Sequence, residues 1–289
     1  MRYLILTDHP SKYNDLRVSK SQKYLVDSKT LYIPPMVAKF FWVPGYTWMV
    51  WLITLFYRFD ALYCHDLFLS CAGVKRWRRK KVICDLHENF YDCFNHARFR
   101  FRFLKWFFRP ARINRMIRKV KKHGTIVTVT KGIADMYGTD LYYPNVGVNS
   151  NESLGVMHKR LVFIGRDRGL KDVDHDIYHI KSECTVFLKI RGIGLLPNPD
   201  NPQNNHASPN KLFCYMNSGM PVVCASHMRE VVKVIDKYGC GYYEDTIDQA
   251  IKKAMDDPYI GIKADNAKRA VIDEYNEENL VVPFFKSIQ

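Results

Sequence analysis

The chain has 289 residues, of which 47% are hydrophobic and 25% are charged, and its formal net charge is +15. This length suffices for two domains with separate cores, and this composition excludes an intrinsically disordered chain. The positive charge indicates a polyanionic partner: an anionic membrane, a nucleic acid or a phosphorylated substrate. Its densest clusters, Lys75–Lys81 and Arg98–Lys122, both lie in the first half of the chain.

The first residues predict a βαβ unit. Tyr3–Thr7 reads as a strand, Arg17–Leu25 as a helix, and Thr30–Ile33 as a second strand. No G-x-G-x-x-G motif occurs here, so a dinucleotide cofactor is not indicated. Further strands are predicted in this half at Asp60–Cys64, Val82–Asp85 and Thr125–Val129, with a short helix at Lys131–Tyr137.

An apolar segment follows the second predicted strand. Between Tyr46 and Tyr57 it holds 12 uncharged residues, which is shorter than the roughly 20 that a bilayer requires. We therefore expect a buried helix of an α/β domain, with a helix lying in a membrane interface as the alternative.

The basic cluster Arg98–Lys122 alternates cations with aromatic and aliphatic residues. This pattern is typical of helices on anionic membrane surfaces, and the same cations could also bind nucleic-acid phosphates. The plain alternative is a core helix whose cations extend to water.

The eight cysteines stand in apolar segments and form no C-x-x-C pair, which predicts reduced thiols rather than disulfides or a zinc site. Met1-Arg2 leads directly into a strand, unlike a signal peptide. We expect a cytoplasmic protein, with attachment to the inner face of a membrane as an option.

The second half predicts another alternation of strands and helices. Strands are expected at Leu161–Gly165, Thr185–Leu188 and Ile193–Pro197, and helices at Met228–Tyr238, Ile247–Met255 and Ala264–Tyr275. The polar segment from Gly147 to Gly155 is the predicted linker.

The segment from Ser208 to Ala225 is the most informative part of the chain. Ser208 is a suitable N-cap, Pro209 suits the first helical turn, and Gly219 predicts the helix end. An apolar strand then follows at Val222–Ala225. A helix N-terminus beside such a strand, with Lys211 adjacent, is a site for a phosphate group; an ordinary capped helix is the alternative.

Four stretches resemble motifs of the GT-B glycosyltransferases of the large retaining, family-four-like group, and they follow one another along the chain in the same order as in that group. Ser208–Val223 resembles the S-P-N-K-L-F-E-Y-M-x-x-G-x-P-V-V segment, and Asp85–Glu88 resembles D-x-H-E. Tyr143–Asn145 resembles the P-N that ends the first domain, and Gly165-Arg166 with Lys171 resembles G-R-x4-K.

The resemblance implies an α/β chain of GT-B architecture, with two Rossmann-like domains facing across a cleft. The expected parts are an acceptor-side domain over 1–148, a nucleotide-sugar-binding domain over 149–270, and a C-terminal helix over 271–289 that crosses back.

The resemblance also implies roles for single residues. His87 would lie near the transferred sugar, with Glu88 orienting it or capping a helix. Arg166 and Lys171 would hold the donor diphosphate without a metal, since their charges would neutralise the leaving group. Residues of the segment from Ser208 to Lys211, namely Ser208, Pro209, Asn210 and Lys211, would contact the same diphosphate.

Two positions depart from the family pattern. His206 and Cys214 stand where the group often carries glutamates, one near the donor sugar and one on the ribose. A thiol cannot accept the paired hydrogen bonds that a carboxylate takes from ribose hydroxyls. We assign both to the donor site, but the departure leaves the donor and the stereochemistry open.

These observations predict a glycosyltransferase that uses a UDP- or GDP-sugar, with no cofactor or metal. Its acceptor would be a hydroxyl of a glycan or lipid-linked molecule at an anionic membrane surface, contacted through Arg98–Lys122. One alternative is a glycosyltransferase that modifies hydroxymethylated DNA bases. The other is a degenerate protein that binds sugar nucleotides without turning them over.

Overall fold

The computed structural model describes residues 1–7, 16–33, 44–77, 80–88, 90, 110–144, 146, 157–165, 173, 177–180 and 191–289. The chain divides into two compact units. Unit 1 comprises Met1–Tyr143 together with Phe284–Gln289, and unit 2 comprises Pro144–Pro283. The predicted linker, Gly147–Gly155, lies outside the described residues.

Unit 1 contains a parallel sheet of five strands in the order β2-β1-β3-β4-β5. The strands are β1 (Tyr3–Thr7), β2 (Ser28–Tyr32), β3 (Ala61–His65), β4 (Lys81–Asp85) and β5 (Thr125–Val127). Strands β1 and β3 are buried along their whole length, as expected for central strands covered on both faces.

The helices of unit 1 cover both faces of this sheet. They are α1 (Leu16–Tyr24), α2 (Pro44–Leu55), α3 (Leu67–Arg76), α4 (Pro110–His123), α5 (Lys131–Tyr137) and, from the C-terminus, α11 (Val282–Ile288). Because crossovers between parallel strands are right-handed as a rule, this strand order puts α1 on one face and α2, α3 and α4 side by side on the other. Helix α3 packs against both α2 and α4.

Unit 2 repeats this arrangement. Its five parallel strands, β6 (Met157–Ile164), β7 (Ile177–Ile180), β8 (Arg191–Leu196), β9 (Val222–Ala225) and β10 (Gly241–Glu244), follow the order β10-β9-β8-β6-β7. Its helices are α6 (Pro202–Asn205), α7 (Asn210–Asn217), α8 (Arg229–Tyr238), α9 (Ile247–Asp256) and α10 (Ile260–Asp273), and a π-helical turn, Glu277–Val281, precedes α11.

Most predicted elements are confirmed, with shifted ends. The predicted strand Thr185–Leu188 and the aromatic part of the basic cluster, 98–109, lie outside the described residues. The predicted cap of α7 is wrong: the helix begins at Asn210, Pro209 occupies the N-cap position, and no side chain caps it. Pro209 has extended backbone angles, φ −67° and ψ 143°, so the proline ends the preceding loop instead of starting the helix.

The apolar segment forms helix α2, which is only partly buried. Val50 and Thr54 are buried against the unit, whereas Leu52, Leu55 and Phe56 are exposed. None of the described helices combines the length and the hydrophobicity that a membrane span requires.

Candidate functional site

The sheet of unit 2 splits at the carboxyl ends of β6 and β8. The pairing of β6 with β8 ends at Val162 opposite Gly194, although β6 stays paired with β7 as far as Ile164. Strand β7 is added on one side of β6, whereas β8, β9 and β10 are added on the other side, so the order of strand addition reverses between β6 and β8. Such a reversal point is where open α/β sheets bind their ligands.

A tyrosine from α7 fills the split. The hydroxyl of Tyr215 accepts a hydrogen bond from the Ile164 N–H (3.0 Å) and donates one to the Leu195 carbonyl (3.2 Å). The ring is fully buried, and a Cβ placed on Gly194 would lie 2.3 Å from its Cγ. Glycine is therefore required at 194, because the ring occupies the space of any side chain there.

The end of β6 brings a glycine and a lysine together. Gly165 has φ +124°, a backbone conformation that favours glycine, and a Cβ there would lie 3.0 Å from Nζ of Lys211. The same Nζ lies 4.0 Å from the centre of the Phe163 ring. A ring nitrogen of His179 lies 2.6 Å from the Gly165 carbonyl oxygen. The Lys211 ammonium group is thus positioned directly at the split edge.

Helix α7 presents its N-terminus to this edge. N–H groups in the first turn of a helix lack intrahelical acceptors and lie at the positive end of the helix dipole, which suits an anion. Asn210 is exposed and Pro209 is half-buried, whereas Ser208 is buried. Lys211 is also half-buried, so Asn210, Pro209 and Lys211 are the members of the predicted phosphate loop that are at least partly accessible.

The two positions that depart from the family pattern lie on either side of this turn. His206 is the C-terminal cap of the short helix α6, and its Nδ1 atom is buried. Cys214 lies on α7 with only 6% of its surface exposed. Both are close in sequence to the α7 N-terminus, but little of the Cys214 side chain is accessible to a ligand.

Arg166 and Lys171, the basic pair predicted to hold the diphosphate, lie outside the described residues. Arg166 directly follows Gly165 in the chain. In the part of the chain that is described, no three His, Cys, Asp or Glu side chains cluster as metal ligands would.

The corresponding edge of unit 1 is occupied by a buried ion pair. Arg17 of α1 contacts both carboxylate oxygens of Asp85 at the end of β4, through Nε at 3.0 and 2.9 Å and Nη2 at 2.7 Å. Arg17 also donates to the carbonyl oxygens of Tyr143 (3.0 Å) and Thr128 (3.3 Å). Its guanidinium group stacks 3.9 Å from the centre of the Tyr143 ring.

Further polar groups complete this cluster. The Tyr63 hydroxyl donates to Asp85 at 3.0 Å, and Nδ1 of His65 lies 3.5 Å from the same carboxylate. Burial by itself would raise the pKa of Asp85, but the charge and hydrogen bonds of Arg17, together with His65 and His87, outweigh it, so the pKa lies below the usual range. Burial and the Asp85 charge raise the pKa of Tyr63, which keeps its hydroxyl protonated.

His87 and Glu88 follow Asp85 after a single buried leucine. The Nδ1 atom of His87 is buried, and the Glu88 carbonyl oxygen accepts a hydrogen bond from the Tyr137 hydroxyl at 3.0 Å. The rigid Arg17–Asp85 pair therefore fixes the end of β4 from which His87 extends.

Sequence reasoning missed three groups in these edges: Tyr215, Arg17 and His65. Tyr215 stands in an apolar helix segment that gives no sign of a polar role. Arg17 could have been suspected because Asp85 ends a buried strand and a buried carboxylate requires a cationic partner.

Comparisons with known proteins agree on the fold. No protein-family profile matches the sequence, and no curated protein sequence matches it. Among solved structures, sucrose-phosphate synthase from Thermosynechococcus elongatus superposes with a TM-score of 0.67 at 9% identity, over 100% of this chain and 97% of that one. HepE from Anabaena, in complex with UDP and glucose, gives 0.66 at 10% identity, over 100% and 98%.

A more distant structure, UGT89C1 from Arabidopsis thaliana complexed with UDP-L-rhamnose, gives a TM-score of 0.53 at 11% identity, over 99% of this chain and 90% of that one. These matches cover both units, and both units have parallel Rossmann-like sheets. The chain therefore has the GT-B fold of glycosyltransferases, as the sequence resemblance predicted.

Proposed function

We propose that this protein transfers a sugar from a nucleoside diphosphate sugar to a hydroxyl group of a glycan or lipid-linked acceptor. The main support is the position of the Lys211 ammonium group, against Gly165 at the split edge of the second sheet and beside the N-terminus of α7. A cation and a helix N-terminus together suit a diphosphate.

The proposed chemistry uses these groups for the leaving diphosphate. Negative charge develops on the diphosphate as the glycosidic bond breaks, and a fixed cation stabilises that charge. By the sequence resemblance, Arg166 and Lys171 would add two more cations and His87 would approach the sugar. Because these cations would neutralise the leaving diphosphate, we propose that the reaction requires no metal ion. The UDP and UDP-sugar complexes of the structural neighbours favour UDP as the nucleotide.

A second candidate is a protein that binds sugar nucleotides without turning them over. It is favoured by the near-complete burial of Cys214, which stands where the resembled group often has a ribose-binding glutamate. A DNA-modifying transferase remains the third candidate, supported by the charge of +15.

The test is a thermal-shift and donor-hydrolysis panel of UDP-, GDP-, ADP- and dTDP-sugars, run with and without EDTA. We expect one donor to stabilise the protein and to be hydrolysed in EDTA. Lys211→Ala and Arg166→Ala should each weaken donor binding by about tenfold or more. The matched control is Lys252→Ala, an exposed lysine of α9, which should behave as wild type.

The other outcomes separate the candidates. Stabilisation without hydrolysis or transfer would favour the binding protein. Transfer to hydroxymethylated DNA would favour the third candidate. The absence of a response to every donor, or equal loss in the Lys252→Ala control, would contradict the proposed site.

A further inference from the structure

The helices α2, α3 and α4 cover one face of the unit 1 sheet and form a layer of unusual composition. None of the three contains an aspartate or glutamate. Their basic residues are Lys75, Arg76, Arg112, Arg115, Arg118, Lys119, Lys121 and Lys122. A solvated helix face normally mixes charges of both signs. The purely positive charge of this layer is instead complementary to a negatively charged surface.

The outer surface of α4 is cationic. Ile113, Ile117 and Val120 point into the core of unit 1. By helical spacing, Arg115, Arg118 and Lys122 lie on the opposite side, and all three are exposed. Ile113, Ile117 and Val120 are therefore unavailable to a partner, and the main contribution of α4 to a docking surface is charge.

The outer surface of α2 is apolar. Val50 and Thr54 face the core, the residues on the opposite side are Leu52 and Leu55, and Phe56 directly follows the helix. Leu52 and Leu55 are each 50% exposed and Phe56 is 88% exposed. Large apolar side chains grouped in this way indicate an interaction site.

The ends of α2 and α3 are joined rigidly. The indole N–H of Trp77, at the end of α3, donates to the Thr54 hydroxyl at 3.1 Å. The Trp77 ring also packs edge-on against Phe59, with 5.1 Å between ring centres. Since α3 also packs against α4, the apolar and the cationic parts belong to one continuous layer.

We propose that this helix layer docks unit 1 on an anionic lipid bilayer, with Leu52, Leu55 and Phe56 entering the interface and the α4 cations contacting lipid headgroups. Peripheral proteins bind such membranes by this combination of inserted apolar groups and basic residues. A nucleic acid would use the cations but would give the exposed aliphatic side chains no partner. The docking surface is inferred from these helices alone. Only its role, which is to give the site access to a lipid-linked acceptor, rests on the proposed function.

The experiment is co-sedimentation of the full chain with vesicles of phosphatidylcholine alone or mixed with phosphatidylglycerol. We expect binding only to the mixed vesicles, and weaker binding as salt is raised. The triple variant Arg115→Gln, Arg118→Gln, Lys122→Gln should reduce partition about a hundredfold, because each cation contributes a factor of about five. The double variant Leu55→Gln, Phe56→Gln should reduce it by about tenfold.

Two matched controls test whether the location matters. Arg229→Gln, Lys233→Gln, Lys252→Gln removes the same charge from exposed helix positions of unit 2. Ile262→Gln, Ile272→Gln removes exposed apolar side chains there. Both should bind vesicles as wild type does, and circular dichroism should confirm that all variants are folded.

Several results would overturn the proposal. Equal loss in the unit 2 charge control would mean that only net charge acts. Retained binding in the Leu55→Gln, Phe56→Gln variant, together with salt-sensitive binding to duplex DNA, would identify the layer as a nucleic-acid surface. Absence of vesicle binding with normal donor turnover would refute the docking surface but leave the proposed function intact.

Discussion

The two sheets share one strand order, but their carboxyl edges are built differently. In unit 1 the edge is occupied by Arg17 and Asp85, which form a hydrogen-bonded ion pair in the protein interior. In unit 2 the corresponding edge is divided by Tyr215, and Gly165 and Lys211 lie beside the gap.

This difference indicates how the two edges can act. A buried ion pair whose hydrogen bonds are satisfied cannot exchange partners without a large loss of free energy, so the unit 1 edge acts as a fixed support. An edge made of backbone groups and a partly exposed lysine can replace water with a phosphate group at little cost. The same topology therefore provides a rigid platform in one unit and, as we propose, a ligand site in the other.

The largest expected effect comes from breaking the ion pair. Arg17→Met should destabilise unit 1 by about 3–5 kcal/mol, because it leaves the Asp85 carboxylate buried without its cation. Urea unfolding, followed by circular dichroism, measures this change. The matched control is Arg2→Met, which removes the exposed pair with Asp60 and should leave the midpoint unchanged. Equal effects of the two variants would contradict a rigid platform.

A smaller effect is expected from the tyrosine in the unit 2 edge. Tyr215→Phe keeps the ring but removes the partner of the Ile164 N–H and the Leu195 carbonyl, which should cost about 2 kcal/mol. Donor affinity should also fall, because the two strand ends lose their spacer. The control is Tyr243→Phe, whose hydroxyl bonds to Asp236 at the surface. A wild-type unfolding midpoint and donor affinity in Tyr215→Phe would show that the split needs no such bridge.

Gly165→Ala should have a local effect of about 1–2 kcal/mol, because φ +124° is strained for alanine. The new methyl group would also press on Lys211, so donor binding should weaken more than stability alone predicts. Calorimetric titration with the donor found in the panel measures this. Gly261→Ala is the control, since a Cβ there meets no atom within 4 Å. Unchanged donor affinity in Gly165→Ala would remove Lys211 from the site.

The smallest expected effect is on the response to acid. Because the folded-state pKa of Asp85 is lowered, its ionisation stabilises the fold fully above the unfolded-state pKa of about 3.9. This contribution is lost as the pH falls through the lowered folded-state value. Between pH 5 and pH 3, the unfolding midpoint should therefore decrease less in Asp85→Asn than in wild type. Identical decreases would mean that Asp85 is not held ionised by Arg17.

Local sequence signals predicted most of the fold. Buried β-branched strands such as Thr125–Val127, and helix ends marked by glycine such as Gly138, are specified within a few residues. The polar contacts of the edges could not be predicted in the same way. Arg17 and Asp85 are 68 positions apart, and Tyr215 and Ile164 are 51 apart, so only the three-dimensional pairing brings them together.

The cap of α7 illustrates a different limit. Ser208-Pro209 fits a standard helix start, and a one-residue shift of the helix leaves every local preference nearly as well satisfied. The shift matters for the site, because it makes Asn210 the first helical residue and leaves Ser208 buried in the loop. Lys211, in contrast, was identified correctly as adjacent to the helix N-terminus.

The last six residues, Phe284–Gln289, belong to unit 1, although the 140 residues before them belong to unit 2. Phe285 stacks on Tyr24 at 5.6 Å between ring centres, and the Ile288 carbonyl accepts a hydrogen bond from Tyr3 at 3.2 Å. During synthesis, unit 1 therefore lacks part of its core until Phe284–Gln289 have been made, which happens only after all of unit 2. Unit 2, which is made later, is contiguous and can finish folding before unit 1 does.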